Sequence, residues 1–389
     1  MLKIIDKKLC TACGACVSIC PEDAITLVLD SEGFRYPKVD INFCVNCGRC
    51  ERVCHMRYQQ IATHSFGIAV FAACLKDKDS LVEVSSGGAA WALTQEMIHQ
   101  GGVVYGAVQS SVFDTRHFRA ERLEEAQLFR RSKYQESDMG IIYRKVKTDL
   151  DSGRNVLFTG TGCQIGGLYA FLGKRPAGLI TCDMVCHSIP SLRMFKEYIH
   201  TFEKEKQGKV ARIVYRDKSL GWKKNQIAIY FEDGRVLREL SGSQAYHSCY
   251  LAGLISRPSC NECRYQILSR ISDITLADFW QYQGVLYPEK AEYGISLVVC
   301  SSEEGKLFFN STQLLLDTEQ VSIKMAVNSS KHLTKPAPVH PMRNQFFMVS
   351  RIVGFMTAYD LYRGNNKIMN ILRRCKEKIR TFSKKNKGL

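Results

Sequence analysis

Cys10, Cys13, Cys16 and Cys20 stand as C-x2-C-x2-C-x3-C with Pro21 next, and Cys44, Cys47, Cys50 and Cys54 repeat the spacing. Three thiolates two residues apart on a tight loop grip one iron–sulfur cubane. The fourth is carried away on the short helix that follows, toward a second cubane. Cys10, Cys13, Cys16 and Cys54 are therefore assigned to one [4Fe-4S] cluster, and Cys44, Cys47, Cys50 and Cys20 to the other. Zinc takes thiolates in C-x2-C pairs and has no use for two interleaved runs. A disulfide framework needs an oxidising compartment. No leader segment is read before Cys10, so the expected location is the reducing cytoplasm. His55 stands where a proline commonly closes such a run; that proline sets a turn and is not a ligand.

The elements that hold these loops follow from the residues between them. Strands at Ile25–Val28 and about Arg35–Val39 are expected to close the ends of a ferredoxin-like α+β module over residues 1–60. At 389 residues the chain suits two or three domains. The longest apolar run, Phe66 to Leu75, is about half a membrane span, so no transmembrane segment is expected. Arg373 to Lys387 carries a net +7 of the chain's +16. That tail is either a solvated end or a point of weak contact with a membrane surface. The remaining positive charge suits an acidic electron-transfer partner.

Beyond a linker at 61–65, an apolar strand Gly67–Leu75 leads to Ser85-Ser86-Gly87-Gly88, a helix from Ala89 to Gln100, and a strand Val103–Gln109. Free N–H groups at such a helix start form an anion site suited to a flavin's phosphates; a plain N-cap has the same sequence. Ser132-Lys133-Tyr134 offers a cation beside a ring, or simply surface. A second unit runs from a strand at Asn155–Thr159 through Gly160-Thr161-Gly162-Cys163-Gln164 and a helix to Leu172, then a strand Leu179–Met184. Parallel pairing of its strands is expected. Cys163 lies at the helix start, where a thiolate is favoured. A helix at Ser191–Lys206, strands at Arg212–Asp217 and Gln226–Glu232, and an Asp233-Gly234 hairpin follow. Strand, helix and strand again over 291–327 complete an α/β domain, and Asn344–Tyr362 reads as one apolar helix before the basic tail.

With these stretches the chain resembles the beta-subunit family of coenzyme F420-reducing hydrogenases and F420-linked dehydrogenases, in the form with an N-terminal ferredoxin module. The matching residues are Ser85 to Gly88, Ser132-Lys133-Tyr134, Gly160 to Gln164, Asp183 to His187, Arg216-Asp217-Lys218 with Gly221-Trp222, Cys260-x2-Cys263, and Arg270 to Trp280. The resemblance implies FAD beside a third [4Fe-4S] cluster on Cys163, Cys186, Cys260 and Cys263. Buried structural thiols are the alternative, and Cys182 is the substitute ligand if one is misplaced. Cys74, Cys249, Cys300 and Cys375 read as ordinary thiols. The domains implied are a dicluster module at 1–60, a flavin-phosphate region at 66–150, an α/β flavin and iron–sulfur region at 151–330, and a helix with basic tail at 331–389. The family's Gly-Thr-Pro-Cys-Gln is here Gly-Thr-Gly162-Cys-Gln, and its Cys-His-Gly is Cys186-His187-Ser188.

The function implied is an iron–sulfur flavoprotein oxidoreductase exchanging electrons with coenzyme F420 or another small molecule. Ser86, Gly87, Gly88, Lys133, Gly160, Thr161 and Gln164 would hold the flavin. Lys133 and His187 are the candidate catalytic groups, with Lys218 and Lys223 behind them; a structural histidine and solvated lysines read the same way. Its electron donor or acceptor would be a ferredoxin, a flavodoxin or a hydrogenase- or dehydrogenase-type subunit. The competing function is a non-catalytic electron-transfer subunit of a larger complex. Nucleic-acid binding ranks last, because the basic tail lacks interleaved aromatics.

Overall fold

Val, Ile and Ala runs such as Ser-Leu-Val-Val-Cys, with every residue buried, form strands covered on both faces. The computed structural model describes residues 6–57, 64, 68–290 and 292–364. Its strands are β1 Ile25–Leu29, β2 Arg35–Val39, β3 Ala69–Leu75, β4 Val103–Ser111, β5 Asp114–Ala120, β6 Val156–Thr161, β7 Leu179–Met184, β8 Val210–Asp217, β9 Gln226–Phe231, β10 Val236–Leu240, β11 Ile274–Asp278, β12 Ser296–Cys300 and β13 Leu316–Gln320. The central sheet is mixed, in the order β13-β3-β12-β11-β7-β6-β4-β5. β4, β6, β7 and β11 run parallel, and the remaining pairs are antiparallel. β6 and β7 therefore pair as the strand–helix–strand pattern requires. β8, β9 and β10 form a separate antiparallel meander, and β1 pairs with β2.

The sequence reading assigned no element to 114–120, where β5 forms an edge strand; pairing with β4 supplies what the propensity of Asp-Thr-Arg-His-Phe-Arg-Ala lacks. The expected single helix over Asn344–Tyr362 is two, Arg343–Val353 and Phe355–Gly364. Gly354, at φ +79°, breaks it in a conformation costly to other residues.

The N-terminal module is not a separate body. One core joins Phe34 and Tyr36 to Phe195, Tyr246, Phe346, Phe347 and Phe355; another joins Ala15 and Val53 to Tyr143, Phe158 and Ile165. The helices after Lys331 are likewise part of the core up to Gly364 and not an appendage. Residues of the linker at 61–65 other than His64, together with Cys375 and the basic tail, lie outside the described residues.

Candidate metal centres and the adjoining cleft

The two cysteine runs adopt the same backbone. Ala12 and Gly14 in the first, and Asn46 and Gly48 in the second, have left-handed φ of +52°, +80°, +53° and +71°. Each run reverses twice, then enters a one-turn helix, Ala15–Ser18 or Arg49–Arg52. Cys10, Cys13, Cys16 and Cys54 line one cavity; Cys20, Cys44, Cys47 and Cys50 line a second. The fourth cysteine of each run thus lines the cavity of the other run. Cys50 also borders the first cavity.

A third cavity is lined by Cys163, Cys186, Cys260 and Cys263. Cys163 is the second residue of the helix Gly162–Leu172, Cys186 follows β7, and the other two come from the short helical segment Pro258–Glu262 and its end. Cys182 is absent from this group; it is buried in β7 beside the larger cleft. Cys74, Cys249 and Cys300 are buried.

Among the described residues no His, Cys, Asp or Glu trio closes on a single ion. The thiols instead stand around the three cavities. Burial pushes the Cys16 and Cys260 thiols up to about 12. Burial, then the neighbouring Cys263, raises Cys163 to about 11. The helix start was expected to favour a Cys163 thiolate; desolvation outweighs it. A coordinating metal reverses that, because it deprotonates the thiols it binds.

The spaces form a series. Cys50 borders the second and first cavities, and Thr11 the first and third. Thr161, Met184, Cys186, His187 and Ser188 border both the third and a cleft of ≈ 340 Å³. That volume is within the range of small-molecule sites. Buried polar groups brace the series. Arg257, wholly buried, donates to Glu136 at 2.5 Å and to the Arg35 carbonyl at 3.0 Å. The Tyr143 hydroxyl lies 2.7 Å from the carbonyls of both Cys13 and Gln164. Neither residue carries a sequence motif, so the sequence reading missed both.

Ser86, Gly88, Lys133, Thr161 and His187 line the cleft. Ser86 Oγ donates to the Ile295 carbonyl at 2.9 Å. Gly88, at φ +83°, opens the helix Ala89–His99 against the cleft. Gly87, Gly160 and Gln164 do not line it. Gly87 is glycine for packing, since a Cβ there would lie 2.2 Å from the Ala73 carbonyl oxygen. Gln164 caps its own helix, accepting from the Thr161 N–H at 2.9 Å, and Gly160 packs against the Gln164 side chain.

The proposed catalytic groups are engaged internally. Lys133 Nζ donates to the carbonyls of Leu128, Phe129 and Arg130 at 3.0, 2.9 and 2.7 Å, and burial pulls it down to about 7. His187 lies 3.0 Å from His332 Nε2 and 3.2 Å from the Tyr250 carbonyl; burial pulls it down to about 4. Lys218 Nζ donates to the Leu81 and Ser86 carbonyls, each at 2.7 Å, holding the serine–glycine loop. Lys223 pairs with the Tyr287 hydroxyl, outside the cleft lining. The cleft's positive charge comes instead from Arg130, whose guanidinium stacks 4.0 Å from the Trp91 ring centroid, and Arg131.

Residues 153–324 match the family model for the C terminus of the coenzyme F420 hydrogenase/dehydrogenase beta subunit, and residues 9–57 match a 4Fe-4S dicluster domain. Over residues 153–324 the chain is thus similar to the beta subunits of coenzyme F420 hydrogenases and dehydrogenases, and over residues 9–57 to iron–sulfur dicluster domains. An uncharacterized ferredoxin of Methanocaldococcus jannaschii is 33% identical over 51 residues, 13% of this chain. The chain spans 65% of that curated relative's length. The solved F420-reducing [NiFe] hydrogenase complex from Methanosarcina barkeri contains a chain that is 17% identical, with a TM-score of 0.47, covering 79% of this chain and 94% of that one. Among the described residues no helix is long and apolar enough to cross a membrane.

Proposed function

We propose that the protein is a flavin-dependent iron–sulfur oxidoreductase, with a third [4Fe-4S] cluster on Cys163, Cys186, Cys260 and Cys263 and a flavin, FAD by family kinship, in the cleft. The observation that carries this is the unbroken series of three cysteine-lined spaces ending on one large cleft. Cubanes move single electrons and flavins handle one or two, so such a series joins a one-electron partner to a two-electron substrate. The outer end suits a protein partner, because Ile41, Phe43 and Val45 are exposed beside Cys44 and Cys47. A ferredoxin, a flavodoxin or a hydrogenase-type subunit would dock there. At the inner end, the start of the helix at Gly88 faces the cleft while Arg130 and Arg131 supply positive charge for an anionic group. Lys133 and Lys218 fix the loops around that position. The substrate is a small molecule, coenzyme F420 or another acceptor.

The second reading is an electron-transfer subunit without its own substrate. It is favoured by the internal bonding of His187 and Lys133, which leaves neither poised as an acid or base. Iron, sulfide and flavin per chain on protein reconstituted without oxygen test the proposal. About twelve irons and one flavin are expected, and about eight irons in Cys263→Ala. Ala90→Trp, at the mouth of the cleft, should lose the flavin and keep its iron. About eight irons and no flavin in the unaltered protein would refute the proposal and leave only the dicluster.

A further inference from the structure

His55 occupies the position after the last cysteine of the second run. It is buried, and its Nε2 lies 3.3 Å from Cys13 Sγ. Its Nδ1 meets the hydroxyl of Tyr265, which lies two residues beyond Cys263 and lines the third cavity. Three glycines on the helix Gly162–Leu172 make room for this arrangement. A Cβ at Gly162 would fall 2.7 Å from Tyr265 Cβ, one at Gly166 2.2 Å from the Tyr265 hydroxyl, and one at Gly167 2.9 Å from Cys13 Sγ. The departure at position 55 and the departure at position 162 are therefore two halves of one packing solution.

The direction of the hydrogen bonds follows from the chemistry of the ends. A cysteine sulfur ligating iron has no proton and only accepts. His55 Nε2–H must then donate to it, which leaves Nδ1 with a lone pair for the Tyr265 O–H. We propose that His55 and Tyr265 form a hydrogen-bond relay onto the Cys13 sulfur that raises the reduction potential of the cluster on Cys10, Cys13, Cys16 and Cys54. One-electron reduction adds negative charge to a cluster, and a hydrogen bond to its sulfur favours the more negative state. Such compensation is needed at this site. Ala12, Ala15 and Met56 bury its surroundings, whereas Cys47 of the outer site is exposed. Burial alone disfavours added charge, and an electron arriving from the outer cluster would then stall there. The relay stands where the first site meets the third, on the path inward. His55 and Tyr265 are positioning residues: they act through the sulfur and touch no substrate.

The inference rests on the dicluster assignment and not on the third cluster or the flavin. Its test is a potentiometric titration followed by electron paramagnetic resonance on the full-length reconstituted protein. Relative to the unaltered protein, His55→Phe should lower the midpoint of one cluster and leave the others in place, with iron per chain unchanged. Tyr265→Phe should lower the same midpoint by less, and His55→Gln, which retains a side-chain N–H, should stay near the original value. Coincident midpoints across all variants would overturn the proposal. If His55→Phe loses iron, Tyr265→Phe decides, because it leaves every atom beside Cys13 in place; an unchanged midpoint there also overturns it. Missing flavin or a missing third cluster would instead refute the function proposed above and leave this titration intact.

Discussion

Asp183→Asn should destabilise the protein far more than removal of an ordinary carboxylate. The Asp183 side chain is wholly buried and pairs with Arg270, itself 2% exposed. Ser272 Oγ donates to the same carboxylate at 2.7 Å. Arg270 also donates to the Tyr265 carbonyl at 2.5 Å, which clamps the segment carrying Cys260 and Cys263 against the sheet. The amide would leave a guanidinium charge buried without a counter-charge. Breaking such a pair from one side costs about 3–5 kcal/mol, a large part of the ~5–15 kcal/mol that holds a typical domain together. Asp151→Asn is the control. Its partner Lys147 is one helical turn away and both side chains are more than half exposed, so about 0.5 kcal/mol or less is expected. Urea unfolding of anaerobically reconstituted protein measures both, with iron per chain read beforehand. Asp183→Asn should shift the midpoint several times further and lose iron from the third site first. A shift no larger than that of Asp151→Asn would refute the reasoning.

Gly162→Ala should cost about 1–3 kcal/mol, as overpacked interiors do, because the new methyl would press on Tyr265 Cβ; an unchanged urea midpoint would contradict the packing described. Stability should also fall as the pH drops from 6.5 to about 4. His117 is buried between Ser137 Oγ at 2.7 Å and the Thr159 carbonyl at 2.9 Å, and burial pulls it from 6.5 to about 4. The unfolded chain then takes up a proton that the folded one refuses. Its contribution is whole above 6.5 and is lost through that window, in all about 3 kcal/mol. His117→Gln should flatten the profile there; parallel profiles would argue against it.

Local backbone chemistry made much of this protein legible in its sequence. The dicluster loops depend on spacing within about ten residues and on positions such as Gly14 and Gly48 that accept left-handed φ. The β6–helix–β7 unit and the Asp233-Gly234 hairpin declare themselves through hydrophobic period and turn residues. Cys163 and Cys260 are a different matter. Nothing within either stretch says that they share a cavity, and only family kinship suggested it before the fold brought them together. The same holds for Arg257, whose partners are Glu136 and the carbonyls of Arg35 and Cys10. It holds too for Lys133 and His187, which look reactive as residue types but spend their hydrogen bonds on neighbours. Short-range geometry is written in adjacent residues. Which polar groups are left free, and which are consumed in holding distant segments together, depends on packing across the whole chain, and only the tertiary structure decides it.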